Sequence, residues 1–217
     1  MAAPQIVLFS NDYFGSRFQR AARAECRNSG ARLTLVLNDP VRGMSPSRRR
    51  RTRLTRPLRQ ALERWRRHTR VWLVEDANSA AVHRRLPDQA HAVITGYMQI
   101  LARPTIDCFL SCVNVHPSLL PFYRGALPVT WCLEHGEERS GYTLHRVTEE
   151  VDAGPVLRQG VVQIAGVADP LQAIVDAALP AFTDWLRHVI LGTEFELSAV
   201  QASSVYRVLE GYRRRGG

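Results

Sequence analysis

The chain has 217 residues, enough for one domain with a well-buried core and short of the length two such domains need. Hydrophobic residues make up 45% and charged residues 23%, an ordinary balance that excludes a disordered or low-complexity chain. The formal charge is +9, but it is unevenly placed: all 29 basic residues are arginine, and the 42–70 stretch holds twelve of them against one acid, Glu63. What remains carries 17 arginines and 19 acids, so the chain reads as near-neutral with one basic insert rather than as a nucleic-acid-binding surface spread over a fold.

In chain order, Gln5 to Phe9 is a short apolar run of the kind that forms a buried strand, and Arg32 to Leu37 is a second. Phe14, Phe18, Ala21 and Ala22 between them fall at helical spacing, which predicts a βαβ opening and a parallel sheet. The basic insert 42–70 contains an apolar stripe, Leu54, Leu58, Ala61, Leu62 and Trp65, at helical spacing. Such a helix packs its stripe on the sheet and leaves arginines in solvent, or offers them to an acidic partner such as a carrier protein, an RNA or an anionic membrane. Val71 to Val74 is a third strand, Asn78 to about Leu86 a small helix, and His91 to Thr95 a fourth strand that runs into Gly96-Tyr97-Met98-Gln99-Ile100-Leu101.

The next strand ends in Asn114-Val115-His116-Pro117. Alternate residues of a strand share a face, so Asn114 and His116 aim at one point, and Pro117 has no N–H with which to continue the ladder. Downstream, Asp152 precedes Gly154-Pro155, a loop signal, in a position from which it could fold back toward His116. An amide, an imidazole and a carboxylate together suit acyl transfer: an oxyanion donor, an acid/base, and a group that orients and charges it. Ala126 to His135 is a short helix stopped by Gly136; Tyr142 to Val147 and Arg158 to Ile164 are strands. His145 is read as a core or supporting residue. A long helix opens at Asp169-Pro170 with the core stripe Leu171, Ile174, Val175, Ala178, Phe182, Trp185, Leu186 and Val189, bent at Pro180.

Three motifs, Asn114-Val115-His116-Pro117-Ser118-Leu119-Leu120-Pro121, Tyr123-Arg124-Gly125 and Val151-Asp152-Ala153-Gly154-Pro155, resemble the signature of the 10-formyltetrahydrofolate-dependent formyltransferases. That superfamily includes glycinamide ribonucleotide, methionyl-tRNA and sugar N-formyltransferases. The resemblance is strong over about 91–162 and architectural elsewhere. It implies an α/β, Rossmann-like domain with a mostly parallel central sheet and helices on both faces. Asn114, His116 and Asp152 would be catalytic. Met98, Gln99, Ile100 and Leu101, with Val147, Thr148, Glu149 and Glu150, would hold the folate, and Tyr123 and Arg124 the acceptor. Gln99 stands where family members often have arginine or lysine. In the first loop, Ser10 to Ser16, only Gly15-Ser16 remains of the glycine-rich phosphate cradle of the ribonucleotide-using members, which argues against glycinamide ribonucleotide.

The expected activity is therefore N-formyl transfer from 10-formyltetrahydrofolate to the amine of a small acceptor, an amino-sugar nucleotide or a specialised-metabolite or amino-acid amine, free or carrier-bound. A protonated His116, favoured by Asp152, and Asn114 would hydrogen-bond the developing oxyanion. Phosphoribosylglycinamide formyl transfer is the alternative within the enzyme class; a catalytically silent adaptor, binding RNA or anionic membrane through 42–70, is the alternative outside it. Residues 1–190 are read as the catalytic domain and 191–217 as a short tail. No metal-ligand spacing, secretory signal or transmembrane run is seen, and Cys26, Cys108, Cys112 and Cys132 read as reduced thiols of a cytoplasmic protein, with Cys108 and Cys112 buried. Oligomeric state is not legible.

Overall fold

The computed structural model describes residues 3–11, 14–38 and 69–195. The predicted helix of the basic insert, its residues 42–68, and the tail beyond Phe195 lie outside the described residues. The described chain forms one seven-stranded sheet in the order β3-β2-β1-β4-β5-β6-β7. Its strands are β1 (Gln5–Ser10), β2 (Arg32–Asn38), β3 (Thr69–Val74), β4 (Ala90–Thr95), β5 (Ser111–His116), β6 (Arg139–Arg146) and β7 (Val156–Gln163). The first five are parallel; β6 runs antiparallel to β5, and β7 antiparallel to β6. This is the expected Rossmann-like arrangement, and the carboxyl ends of the central strands β1, β4 and β5 lie side by side at one end of the sheet.

The strands read as near-continuous apolar runs because both faces of the sheet are covered. Along β1 the period of two sends Ile6 and Leu8 into one core and Val7 and Phe9 into the other. The first core is closed by α1 (Ser16–Ser29) and by the long carboxy-terminal helix Pro170–Leu191, where Phe18 meets Phe182 edge to face at 5.0 Å. Both helices end at a left-handed glycine, Gly30 and Gly192, and the long helix begins where the Asp169 carboxylate accepts the Gln172 N–H at 3.0 Å. Pro180 lies inside that helix without ending it.

The second core is covered by shorter pieces. The helix expected over 78–86 is a single turn, α2 (Ala80–His83), and a further turn, α3 (Arg103–Ile106), was not anticipated; α4 (Pro128–Glu134) follows β5, which makes the long helix α5. Asn78 joins the two turns: its Oδ1 accepts from the Ala102 N–H and the Thr105 hydroxyl, and its Nδ2 donates to the Ile100 carbonyl. β6 begins three residues earlier than expected and stops at Arg146, so Val147 lies past the strand, its N–H donating to the Cys112 carbonyl at 2.8 Å. Cys112 is buried, and burial pushes its thiol up to about 12; Cys108 is exposed, contrary to the expectation of a buried pair. Among the described residues no helix is long and apolar enough to cross a membrane.

Candidate active site

Asn114 and His116 stand on one face at the carboxyl end of β5, as the alternation requires. Antiparallel pairing sets Asn114 opposite His145 and His116 opposite Thr143, so β6 supplies the adjacent side chains of the same face. Asp152 arrives from the loop after β6, in a left-handed conformation (φ 50°) that carboxylate side chains tolerate better than most. One of its oxygens, Oδ2, accepts the Gly125 N–H at 2.9 Å and lies 3.3 Å from His116 Nδ1; the other, Oδ1, accepts Asn114 Nδ2–H at 3.2 Å and lies 3.5 Å from His145 Nε2. The three residues picked from sequence thus converge, and His145 joins them as a fourth.

A second set of contacts comes from the loop after β5. Thr143 donates to the Ser118 carbonyl at 2.7 Å and accepts the Leu120 N–H, and Gln159 holds the Leu120 carbonyl from β7. This pins a turn in which Tyr123, Gly125 and Leu127 all have positive φ. The turn brings the Tyr123 carbonyl to 2.8 Å from His116 Nε2, where the fully buried Ser118 hydroxyl also reaches it at 3.3 Å. Tyr123 and Gly125 therefore act on the site through main-chain groups, which carry no side-chain signature in a sequence. The Tyr123 phenol is turned the other way, donating to the buried Glu137 at 2.9 Å, while Arg124 is exposed and pairs with Glu150 at 3.2 Å.

The electrostatics depart from the expected imidazolium. Burial pulls His116 below its ordinary value, and the opposing pull of the Asp152 charge and the Tyr123 carbonyl does not overcome it; His145 nearby adds to the lowering. Burial works to raise Asp152, but the contact with His145, the His116 ring and the Gly125 N–H together hold the carboxyl below its ordinary value. At neutral pH the pair is an ionised carboxylate beside a neutral imidazole. A carbonyl only accepts, so the Tyr123 contact keeps a proton on His116 Nε2, and Nδ1 lies on the Asp152 side.

The residues expected to hold folate sit in two loops flanking these strand ends. Met98 and Ile100 are 76% and 67% exposed, whereas Leu101 is 4% exposed and belongs to the core beside Val7 and Phe9. Gln99 is tied to the loop after β3: its Oε1 accepts the Ala77 N–H at 2.9 Å and its Nε2 donates to the Glu75 carbonyl at 2.5 Å. In the other loop Val147 is half-buried, Thr148 donates to the Glu150 carbonyl at 3.0 Å, and Glu149 and Glu150 face solvent.

Known proteins share this chain's fold and part of its sequence. The formyl transferase family matches residues 6–187. Methionyl-tRNA formyltransferase of Thermotoga sp. (strain RQ2) is 44% identical over 73 residues, which is 33% of this chain and 23% of that protein. The chain spans less than a quarter of the length of the curated relatives it matches first. Glycinamide ribonucleotide transformylase 1 from Symbiobacterium toebii superposes with a TM-score of 0.62 at 23% identity, covering 90% of this chain and 92% of that one. An N-formyltransferase from Helicobacter canadensis, solved with folinic acid and dTDP-3-aminofucose, superposes with a TM-score of 0.60 at 16% identity, covering 88% of this chain and 65% of that one. With the family matched over most of its length and its Asn114, His116 and Asp152 gathered at the strand ends, this chain belongs to the formyl transferase family.

Proposed function

We propose that the protein is an N-formyltransferase that moves a formyl group from 10-formyltetrahydrofolate to the amine of a small acceptor. The observation that carries this reading is the Asp152 carboxylate held 3.3 Å from His116 Nδ1, with Asn114 bonded to the same carboxylate. Bound 10-formyltetrahydrofolate would supply the formyl carbon, carried on N10. The loops around the site suit such a group: Met98 and Ile100, with half-exposed Val151, offer apolar surface to a planar ring. In this reading residues 98–101 and 147–150 hold the folate, and Tyr123 and Arg124 shape the acceptor side.

His116 is the base. As the acceptor nitrogen bonds to the formyl carbon it becomes acidic, and a proton taken at Nδ1 arrives beside the Asp152 carboxylate, which stabilises the imidazolium at the moment it forms. The same proton returns to the departing nitrogen. Assistance of this kind contributes roughly 10² to 10⁴ in rate.

The acceptor is best read as an amine without a phosphate against the first loop. In that loop the Asn11 Oδ1 already accepts the N–H groups of Phe14 and Gly15, at 2.8 and 3.2 Å, and Asn11 Nδ2 donates to the Gly96 carbonyl. These two backbone donors, just ahead of α1, are thus taken. An amino-sugar nucleotide or a specialised-metabolite or amino-acid amine fits better than glycinamide ribonucleotide. A carrier-bound amine fits as well, with the basic insert 42–70 as the region that would meet an acidic carrier.

The test is a mass-spectrometric screen of the purified chain with 10-formyltetrahydrofolate and a panel of amino-sugar nucleotides, ornithine derivatives and glycinamide ribonucleotide. A product heavier by one formyl group, lost in His116→Ala, supports the reading and names the acceptor. The absence of both product and folinic acid binding refutes it.

A further inference from the structure

The His116 ring is held at both nitrogens: Asp152 Oδ2 lies 3.3 Å from Nδ1, and the Tyr123 carbonyl accepts from Nε2 at 2.8 Å. The second hold depends on a stretch of backbone that must itself be kept in place. Tyr123 has φ 57°, a conformation that is unfavourable for a bulky side chain and persists only where the surroundings over-determine it. The Ser118 hydroxyl helps little, because its one proton goes to the Phe122 carbonyl at 2.9 Å and meets the Tyr123 carbonyl only at 3.3 Å. A firmer anchor lies at the other end of the residue. The Tyr123 phenol donates to Glu137 Oε1 at 2.9 Å, and His135 Nδ1 stands 3.3 Å from the same hydroxyl.

Glu137 is well placed to be that anchor. It is 5% exposed and lies where the chain passes from α4 to β6. Its N–H donates to the Cys132 carbonyl of α4 at 2.9 Å, and the neighbouring Glu138 carbonyl accepts the N–H groups of Ile164 and Ala165 just past β7, at 2.9 and 3.1 Å. A buried carboxylate keeps its hydrogen bonds, since losing one leaves it uncompensated. The phenol therefore ties the Tyr123 main chain to a point fixed against both α4 and the end of β7.

We infer that Glu137 is a positioning residue for His116: through the Tyr123 phenol it fixes the carbonyl that holds Nε2, and with it the direction in which Nδ1 points. The effect on rate rests on the formyltransferase reading; the geometry does not. Glu137 acts at one remove, because the phenol that it holds is turned away from the His116 ring. If the carbonyl swings off, the ring keeps one hold of two and can turn. Misplacing a catalytic group by about 1 Å costs up to roughly a hundredfold in rate.

Geometry and rate are tested separately. In the uniformly ¹⁵N-labelled full chain, the His116 Nε2–H is expected as a slowly exchanging ring resonance. Tyr123→Phe keeps the ring and deletes the hydroxyl, Glu137→Leu deletes the acceptor, and Glu137→Gln keeps a side-chain oxygen that can accept. Exchange of the Nε2 proton with water is expected to rise at least about tenfold in the first two and to stay near wild type in the third. A folded Tyr123→Phe whose Nε2–H keeps its shift and exchange rate overturns the inference whatever the enzyme does, and this variant decides the matter if Glu137→Leu does not fold. With the acceptor identified by the screen, kcat is expected to fall at least about tenfold in Tyr123→Phe and Glu137→Leu, with the KM for 10-formyltetrahydrofolate unchanged. Glu137→Gln is expected to recover most of that loss. Folinic acid binding and thermal unfolding are measured alongside. A Tyr123→Phe that unfolds at lower temperature but has wild-type kcat shows that the pair only stabilises the fold, and refutes the positioning role. A Glu137→Gln as slow as Glu137→Leu refutes it too. If the wild type transfers no formyl group to any amine, the function is wrong while the exchange measurement still decides the positioning.

Discussion

Replacing Asp152 by Asn changes one atom and removes one charge, and the structure sets the size of the effect. At 3.3 Å from His116 Nδ1, a full carboxylate charge stabilises an imidazolium by about 5 kcal/mol at an effective dielectric of roughly 20. If His116 takes up the amine proton in the rate-limiting step, losing that charge slows turnover by roughly three to four orders of magnitude. Stability should change far less. The new amide must place its NH₂ either against the Gly125 N–H or against Asn114 Nδ2, so one donor faces another, at about 1–3 kcal/mol. Single-turnover formyl transfer with saturating folate measures the first quantity and urea unfolding the second. A variant that folds, binds folinic acid and turns over within tenfold of wild type would refute the charge argument for Asp152.

The pH dependence of stability follows from the same pair. Because the folded pKa of His116 lies below 6.5, the unfolded chain binds more protons between that value and 6.5, so stability falls as pH drops through this window; urea midpoints should decline from pH 7 to 5, and His116→Gln should flatten that decline. An identical slope in the variant would remove His116 as its source. Asp152, held below 3.8, adds stability that is in place above that pH and is lost only as pH falls through its lower folded value, seen as a second, more acidic decline that Asp152→Asn lacks. Phe182→Ala deletes a fully buried ring between α1 and α5 and should cost about 3–5 kcal/mol; a loss under 1 kcal/mol would mean the helices close the gap. Gly96 has φ 64°, and a Cβ there would stand 2.6 Å from Phe14, so Gly96→Ala should destabilise by more than the roughly 1–2 kcal/mol of the left-handed backbone alone, measured by the same urea assay.

Much of this protein was legible before any coordinates. β1 and β2 read as buried because a sheet covered on both faces needs apolar residues at every position, and Ile6, Val7, Leu8 and Phe9 supply them. Asn114 and His116 declared a shared face through their spacing, and Asp152 its loop through Gly154-Pro155. These are local patterns, set by residues a few positions apart. Less legible were α2 and α3, single turns whose stability comes from Asn78 bridging them across 24 to 27 residues rather than from any helical period.

What tertiary structure alone decided is the chemistry of the trio. A neutral rather than charged His116 follows from burial, which depends on everything packed around the ring and on nothing in its own motif. The proton on its Nε2 is held by a carbonyl seven residues on, brought back by a turn that β6 and β7 pin in place. The contacts of Asn114 come from His145 and Asp152, residues 31 and 38 positions away. Sequence names the groups because side-chain chemistry is local. Their protonation and rotamers belong to the fold, because desolvation and hydrogen-bond partners are supplied from a distance.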